Sequence, residues 1–227
     1  RDRVYRQGYV QLGVEVYGGA LFAPWFDRDL SIAGRVHYKS RRGELRSALI
    51  DFSDPIAVIP SLAIHLNRGV NDSRSINAQK ELVPLLSQLG KEEDFDFNEL
   101  LLQQVKKQPV HRFAQEILAH ELFLYDTQAA TLIGLKQEFI SSARLDNLLS
   151  CFLACKALVN CKNTHASLLV CNDHEEVGSQ SYIGAKGNFL KDVLGRVFKT
   201  PELYSRAIAS SLLVSADNAH SLSHIHI

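Results

Sequence analysis

The chain has 227 residues, of which 46% are hydrophobic, so it can bury a core in one or two globular domains. Its 25 basic residues balance 25 acidic ones, and this balance removes the broad positive field that nucleic acid or an acidic membrane surface normally requires. No apolar run reaches the roughly 20 residues of a membrane-spanning helix, and the first residues do not resemble a signal peptide. We expect a cytoplasmic protein with small or peptide-like ligands and no contact with nucleic acid or membrane.

Methionine is absent from the sequence, although a chain of this length ordinarily carries several. We therefore expect the natural protein to contain further residues. Spacings between motifs are accordingly those of the sequence as printed.

The first part of the chain has the pattern of short β-strands. Apolar and polar residues alternate over 10–17 and 45–52, a period that predicts half-buried strands. Residues 61–67, after Pro60, predict another strand or the start of a helix. Turn residues flank these runs at Gly18-Gly19, Arg42-Gly43 and Asp54-Pro55.

Residues 71–108 are polar and include the acidic run Glu92-Glu93-Asp94. A charged excursion on the surface is the more frequent meaning of such a stretch, ahead of a binding tail. Within it the spacing predicts a helix around Glu99 to Lys106.

From about residue 110 the pattern changes to alternating helices and strands. Helices are predicted over 110–118, 145–159, the end of 184–199 and 201–209. Strands are predicted over 121–125, 130–135, 166–171 and 210–215. The last two strands are apolar and each runs into acidic residues, which is where open α/β sheets place their ligands.

Four cysteines lie close together in the sequence, at Cys151, Cys155, Cys161 and Cys171. A zinc ribbon is one possibility, but such sites usually carry CxxC pairs, whereas Cys151 and Cys155 are four apart on one face of an apolar helix. Free cysteine behaves as a small buried hydrophobe, so we expect core thiols.

Carboxylates are the strongest chemical signal. Glu175 and Glu176 are adjacent in a predicted loop, with Asp146 upstream and Asp217 downstream. An isolated Glu-Glu pair is more often a solvated loop. Neighbouring loop residues point in different directions, however, so one carboxylate can bind a metal ion while the other takes a proton from water. The set therefore suggests a hydrolase with two metal ions.

Longer motifs support this hypothesis. The string NDHEEVGSQSYIGAKGNFL from Asn172, with RLDNL at 144–148 and SADNAH at 215–220, closely resembles the aspartyl aminopeptidase and aminopeptidase I family of dinuclear zinc peptidases, in a bacterial form. Residues 13–36 and 59–68 resemble that family's dimerisation domain. The resemblance implies an α/β fold, with a β-rich dimerisation domain at 1–118 inserted into a dinuclear-zinc aminopeptidase-like catalytic domain, part of which is 119–227.

Site roles follow from the same resemblance. It implies that Asp146 bridges two divalent metal ions, expected to be zinc, and that Glu176 and Asp217 each bind one of them. Glu175 is implied as the general base. His65 is implied to enter the active site of a neighbouring subunit, where it would contact the substrate or the developing oxyanion. His220 either faces the substrate or packs behind the metal ligands.

The implied activity is removal of N-terminal, often acidic, residues from peptides by a homo-oligomer built from dimers, which in that family is often a dodecamer. A related aminopeptidase of neutral specificity and a catalytically inactive assembly subunit are the alternatives. The alternative of an inactive subunit arises because the family's HTDSP-like motif and its C-terminal histidine ligand do not occur in the sequence. The tail His224-Ile225-His226 stands where a His-Pro-Asn-like run is usual, and we expect it to reflect an incomplete sequence rather than replacement ligands.

Overall fold

The computed structural model describes residues 4–6, 8–90, 94–162 and 165–219, with backbone alone at 4–6. The chain divides into two compact units, residues 1–129 and 130–227. They are called here the N-terminal unit and the C-terminal unit.

Two antiparallel sheets dominate the N-terminal unit. Its strands are β1 (Val4–Arg6), β2 (Tyr9–Gln11), β3 (Leu30–Ser40), β4 (Leu45–Asp51), β5 (Leu85–Gln88) and β6 (Ala114–Asp126). Its helices are α1 (Ala78–Glu81) and α2 (Phe97–Lys106), with short 3₁₀ turns at Ala23–Trp25 and Pro109–His111. The sheets have the strand orders β1-β2-β5 and β4-β3-β6.

The larger sheet is built around β3, which pairs with β4 on one side and β6 on the other. The β3–β4 hairpin turns at Gly43, whose φ of 78° is the left-handed conformation that glycine adopts without a steric cost. Helix α2 covers this sheet, and its Leu101 and Val105 are fully buried against Val36 and Tyr38. Burial of a large apolar side chain contributes about 1.5–3 kcal/mol, so this contact is the main core of the unit.

The start of α2 has a local cause. The Asp96 carboxylate accepts hydrogen bonds from the backbone N–H groups of Asn98 and Glu99, at 2.8 and 3.4 Å. This N-cap satisfies donors that the first helical turn leaves free. The predicted helix at 99–106 is thus confirmed, but it belongs to the core and not to a surface excursion.

A second cluster lies beside the sheets. Ala57, Ile59 and Leu82 pack with Leu30, and Val58 exchanges backbone hydrogen bonds with Leu85 at 2.7 and 3.1 Å. Beyond Ile59 the chain forms no regular element over residues 61–67, so both the strand and the helix expected there are wrong.

Strand β4 confirms the run predicted at 45–52, whereas the helix expected at 110–118 is wrong. Most of that segment belongs to β6, where Ala114 lies opposite Ser40 and Ile117 opposite Tyr38. The helical spacing of its apolar residues was overridden by a long, buried neighbouring strand that offers backbone hydrogen bonds. The domains expected at 1–118 and 119–227 stay a prediction; β6 runs continuously across residues 118 and 119, and the two compact units divide between Ala129 and Ala130.

Among the regular elements of the C-terminal unit, most residues belong to helices. The unit contains the hairpin β7 (Thr131–Ile133) and β8 (Phe139–Ser141), the helices α3 (Leu145–Asn160), α4 (Phe189–Val197) and α5 (Pro201–Ala209), and a 3₁₀ turn at Glu175–Val177. Helix α5 begins at an N-cap, where the Thr200 side chain accepts a hydrogen bond from the Leu203 N–H at 3.2 Å. The strand expected at 130–135 and the three helices expected after residue 145 are confirmed.

The two apolar strands expected at 166–171 and 210–215 are wrong. Both segments lack strand structure, and Leu168 and Leu212 are 58% and 89% exposed. An extended segment needs a neighbouring strand for its backbone hydrogen bonds, and none of the described strands pairs with either segment. In the part of the chain that the structure describes, no helix has the length and apolar character to cross a bilayer.

Candidate active site

The beginning of α3 brings one predicted metal ligand into an irregular backbone. Arg144 has a left-handed φ of 58°, and Asp146 and Asn147 depart from helical dihedral angles, so the regular helix starts at Leu148. Asp146 is therefore presented from a bend in front of the helix, and its side chain is exposed. A helix-interior position would have aimed this carboxylate along the helix surface instead.

Three hydrogen bonds tie this bend to the segment that carries Asp217. Asn147 Nδ2 donates to the Ala216 carbonyl at 3.0 Å, and Asn218 Nδ2 donates to the Leu145 carbonyl at 2.5 Å. Ser150 Oγ donates to Asn218 Oδ1 at 2.8 Å. Residues close to the two aspartates thus hold together segments that are 68 to 73 positions apart in sequence.

The two adjacent glutamates lie in the 3₁₀ turn after residue 171. His174 enters the turn with a left-handed φ of 60°, and Gly178 ends it with a φ of 91°. Both carboxylates, of Glu175 and Glu176, are exposed. The Ser179 N–H donates to the His174 carbonyl at 2.9 Å and closes the loop, which we call the carboxylate loop (residues 173–187).

Side chains and glycines fix the path of the carboxylate loop. His174 Nδ1 lies 2.7 Å from Ser181 Oγ, which assigns a contact to a histidine that the sequence left without a role. Gly184 is buried, and a Cβ there would lie 2.5 Å from the Ser179 carbonyl oxygen. Gly184, the first glycine of the GAKG string, therefore permits a close backbone approach that keeps the loop compact.

Carboxylates of this kind suit divalent ions, because Zn²⁺ accepts oxygen ligands from Asp and Glu. Within residues 4–6, 8–90, 94–162 and 165–219, however, no three His, Cys, Asp or Glu side chains come close enough together to hold a metal ion. The described residues bring the segments of Asp146 and Asp217 together but do not by themselves form a complete metal site.

All four cysteines are free thiols. Cys151 is partly buried, but Cys155, Cys161 and Cys171 are exposed, so the expectation of core thiols is wrong for those three. A hydrogen bond with the Cys151 thiol raises the pKa of Cys171. The cysteines also form no metal-binding group within the described residues.

His65 lies in the N-terminal unit, in a turn over residues 64–66, and its side chain is exposed. The turn is held by the Leu66 N–H, which donates to the Ala63 carbonyl at 2.9 Å. Apolar side chains flank the histidine, and Leu62 and Leu66 are 63% and 75% exposed. We call residues 61–67 the His65 loop. His220 and the tail at 224–226 lie outside the described residues.

One cavity was not foreseen from the sequence. It has a volume of about 240 Å³ and lies in the N-terminal unit, where Val14, Ile32, Phe97, His120 and Phe123 line part of its wall. Burial lowers the pKa of His120, and the ring lies edge-on to Phe97 with centroids 5.7 Å apart. None of the predicted site residues is among those that line this cavity. The sequence pattern along β6 did not indicate that a cavity would form here.

Comparison with known proteins gives consistent results. The family model described as Aminopeptidase I zinc metalloprotease (M18) matches residues 2–224. A probable M18 family aminopeptidase 2 from the bacterium Ectopseudomonas mendocina (strain ymp) is 58% identical over 216 residues, which cover 95% of this chain and 50% of that protein.

Solved structures agree. A chain in the cryo-EM structure of the Ape4 and Nbr1 complex superimposes with a TM-score of 0.84 at 35% identity, over 99% of this chain and 47% of that one. The S. cerevisiae mApe1 dodecamer gives a TM-score of 0.63 at 32% identity, over 85% of this chain and 44% of that one. Mixed α and β content is common to these neighbours and to this chain.

The chain spans about half the length of the curated relatives it matches. The similarity nevertheless extends from end to end and includes the segments of Asp146, the carboxylate loop and Asp217. On the family model and on 58% identity to a probable M18 aminopeptidase, the chain belongs to the M18 family of aminopeptidase I zinc metalloproteases.

Proposed function

We propose that the full-length protein is a zinc-dependent aminopeptidase that removes N-terminal residues, preferentially acidic ones, from peptides in the cytoplasm. The family match over residues 2–224 carries this proposal. The hydrogen bonds between the segments of Asp146 and Asp217 support the same assignment, since they join the two segments that carry these candidate metal ligands.

The residues have distinct roles in this proposal. Asp146 would hold both metal ions, and Glu176 and Asp217 would each hold one, together with ligands from parts of the protein outside this chain. When bound, the ions polarise the scissile carbonyl and lower the pKa of the attacking water. Glu175 accepts a proton from that water and delivers it to the leaving amine.

Exposure of the Glu175 carboxylate supports its role as base, because a general base must come within hydrogen-bond reach of the water it deprotonates. A 3₁₀ turn has about three residues per turn, so the side chains of the neighbours Glu175 and Glu176 are expected to leave it in different directions. A 3₁₀ turn that is closed by backbone hydrogen bonds can therefore present one carboxylate to metal and the other to water.

We further propose that the N-terminal unit is a dimerisation domain inserted into the catalytic domain and that the protein works as a homo-oligomer. The dodecamer formed by the yeast neighbour supports this proposal. So does the His65 loop, which presents an exposed histidine between exposed leucines. In the oligomer His65 enters the site of a neighbouring subunit and contacts the substrate.

The test is metal analysis of the full-length protein combined with hydrolysis of Asp-, Glu- and Leu-terminated substrates. Two zinc ions per subunit and a preference for the acidic substrates are expected. A strong preference for Leu would replace the acidic assignment with neutral specificity. Absence of turnover in a fully metal-loaded oligomer would indicate an inactive assembly subunit.

A further inference from the structure

The His65 loop begins at a hydrogen bond to a distant carboxylate. The Ser61 N–H donates to Asp27 Oδ1 at 2.8 Å, although the two residues are 34 positions apart in sequence. Ser61 stands four residues before His65, and the chain beyond it is exposed and has no regular structure. This bond is therefore an attachment at the very start of the loop.

A second hydrogen bond from Asp27 strengthens this attachment. The Asp27 N–H donates to the Ile59 carbonyl at 2.9 Å, so backbone and side chain of Asp27 together bracket Pro60. Asp27 adopts a left-handed φ of 58°, a conformation that Asp tolerates better than most residues. Ile59 itself is 4% exposed and packs in the second core cluster. The last buried residue before the loop is thus held at the same point.

The residues after Asp27 connect this point to the large sheet. Arg28 donates to the Asp126 carboxylate at 2.7 Å and to the Pro24 carbonyl at 2.9 Å. The Asp29 carbonyl accepts from the Thr127 N–H at 2.9 Å. The chain around Asp27 is therefore anchored to the end of β6, and its carboxylate can fix the position at which the His65 loop begins.

Asp27 is charged under ordinary conditions. The backbone hydrogen bond from Ser61 is the largest cause that lowers the pKa of its carboxyl group, and the positive charge of Arg74 acts in the same direction. A hydrogen bond to an ionised acceptor is stronger and shorter than a neutral one. The ionised Asp27 carboxylate is therefore the stronger form of acceptor for the Ser61 N–H.

We propose that Asp27 is a positioning residue that holds the His65 loop in the geometry required for His65 to reach its substrate. Asp27 touches neither substrate nor metal in this role and acts through Ser61. The proposal rests on the proposed function of His65.

The experiment uses the full-length, metal-loaded protein and compares Asp27→Ala with His65→Ala. Misplacement of a substrate-contacting group by about 1 Å can cost on the order of 100-fold in rate. Asp27→Ala is expected to lower kcat on the order of 10- to 100-fold. Asp27→Asn is expected to retain most of the natural kcat, because its amide oxygen still accepts from Ser61. Asp29→Ala is the matched control, because it removes the same charge from the same exposed segment and leaves its backbone bond to Thr127.

The double variant separates positioning from general damage. If Asp27 acts only through His65, Asp27→Ala in the His65→Ala background causes no further loss of kcat. If the double variant instead loses kcat by the product of the two single losses, the proposal is overturned. A normal kcat for Asp27→Ala, measured beside an impaired His65→Ala, would also overturn it.

Hydrogen exchange of the segment 60–67 provides a readout that does not depend on turnover. Faster exchange at Ser61 in Asp27→Ala, with no change in Asp29→Ala, supports the attachment, and unchanged exchange overturns it. If His65→Ala itself turned over normally, the proposed role of His65 would fail. The attachment of the loop would then be decided by the exchange result alone.

Discussion

At Asp146 the backbone leaves the helical conformation, and the residues around it form side-chain bonds to the segment of Asp217. Asn218 contributes most, because its amide donates to the Leu145 carbonyl and accepts from Ser150 Oγ. The Asp217 carboxylate in turn accepts from the Asn218 N–H at 2.8 Å. The two candidate ligands thus depend on neighbours that bind no metal themselves.

Removal of the Asn218 side chain is expected to weaken metal binding. Loss of groups that orient metal ligands typically costs about 10- to 100-fold in metal affinity, and Asn218→Ala removes both bonds at once. Zinc titration of the full-length protein measures the effect. Asn160→Ala is the control, since the Asn160 side chain donates to the Lys156 carbonyl near the other end of α3. Equal zinc affinity in both variants would contradict the expectation.

Substitution of the proposed base and substitution of a proposed metal ligand are expected to have different effects on metal content and activity. Glu175→Gln should keep the bound metal and lower kcat by about 10²- to 10⁴-fold, because the loss of a general base costs about that much. Asp146→Asn should lose metal occupancy as well as activity. Elemental analysis and steady-state kinetics on the same preparations distinguish the two. Near-normal turnover by Glu175→Gln would remove Glu175 from the role of base.

At the scale of elements, the sheet β4-β3-β6 determines most of the N-terminal unit. β3 is the central strand, and Gly34 lies within it opposite Leu122 of β6. Its φ is 155°, and a Cβ on it would collide with the backbone carbonyl oxygen of Glu121. This glycine permits the two strands to approach at that point.

Gly34→Ala is expected to destabilise the N-terminal unit by about 2–5 kcal/mol, because overpacking and a strained backbone conformation add together. Denaturant unfolding followed by circular dichroism measures this change. Gly19→Ala is the matched control, since a Cβ there meets no atom within 4 Å. Similar midpoints for the two variants would show that β3 and β6 can separate at Gly34 without a large cost.

Helix α1 is expected to be sensitive to pH. The Glu81 carboxylate accepts from the Asn77 N–H at 2.7 Å, and this bond is the main cause that lowers the pKa of Glu81, with Arg74 assisting. A lowered pKa in the folded state means that the stabilising contribution is present above the unfolded value, about 4.3 for Glu. The contribution is lost as the pH falls through the folded pKa.

Glu81→Gln provides the comparison, because the amide oxygen can still accept from Asn77 but does not titrate. Below about pH 4.3, the free energy of unfolding should fall more steeply for the natural protein than for Glu81→Gln. Unfolding titrations of both proteins over this pH range measure the difference. Parallel curves would exclude Glu81 as the source of the pH dependence.

At the scale of the whole molecule, the chain consists of two units, and the candidate site residues are divided between them. His65 belongs to the N-terminal unit, whereas Asp146, the glutamate pair and Asp217 belong to the C-terminal unit. Many apolar side chains of the C-terminal unit are exposed, including Phe152 and Leu212. The proposed oligomer would unite the two sets of site residues between subunits.

Mixed oligomers test this arrangement. A His65→Ala chain and a Glu175→Gln chain should each be nearly inactive alone. After dissociation and reassembly together, random pairing in a two-fold dimer leaves about a quarter of the sites with both groups intact. Recovery of activity of that order is expected, and reassembly of either variant by itself is the control. No recovery would mean that His65 acts within its own subunit or not at all.

The sequence by itself determined the family, because motifs around Asp146, Glu175 and Asp217 are specific local strings that need no folded context to be read. It also determined α2, α3, α4 and α5 and the strand at 45–52. Their apolar periods and the turn residues that flank them favour the same structure. In these elements the local preference and the final fold agree.

Only the tertiary structure decided the rest. Residues 110–118 have a helical pattern, but from Ala114 onward they belong to a strand that pairs with β3. Residues 166–171 and 210–215 have strand patterns but find no neighbouring strand within the described residues. The bond from Asp27 to Ser61 and the link from Asn147 to Ala216 were likewise invisible in the sequence. The physical reason is the same in each case. Strand pairing and side-chain hydrogen bonds join residues far apart in the chain, and a local pattern does not specify which partner will be present.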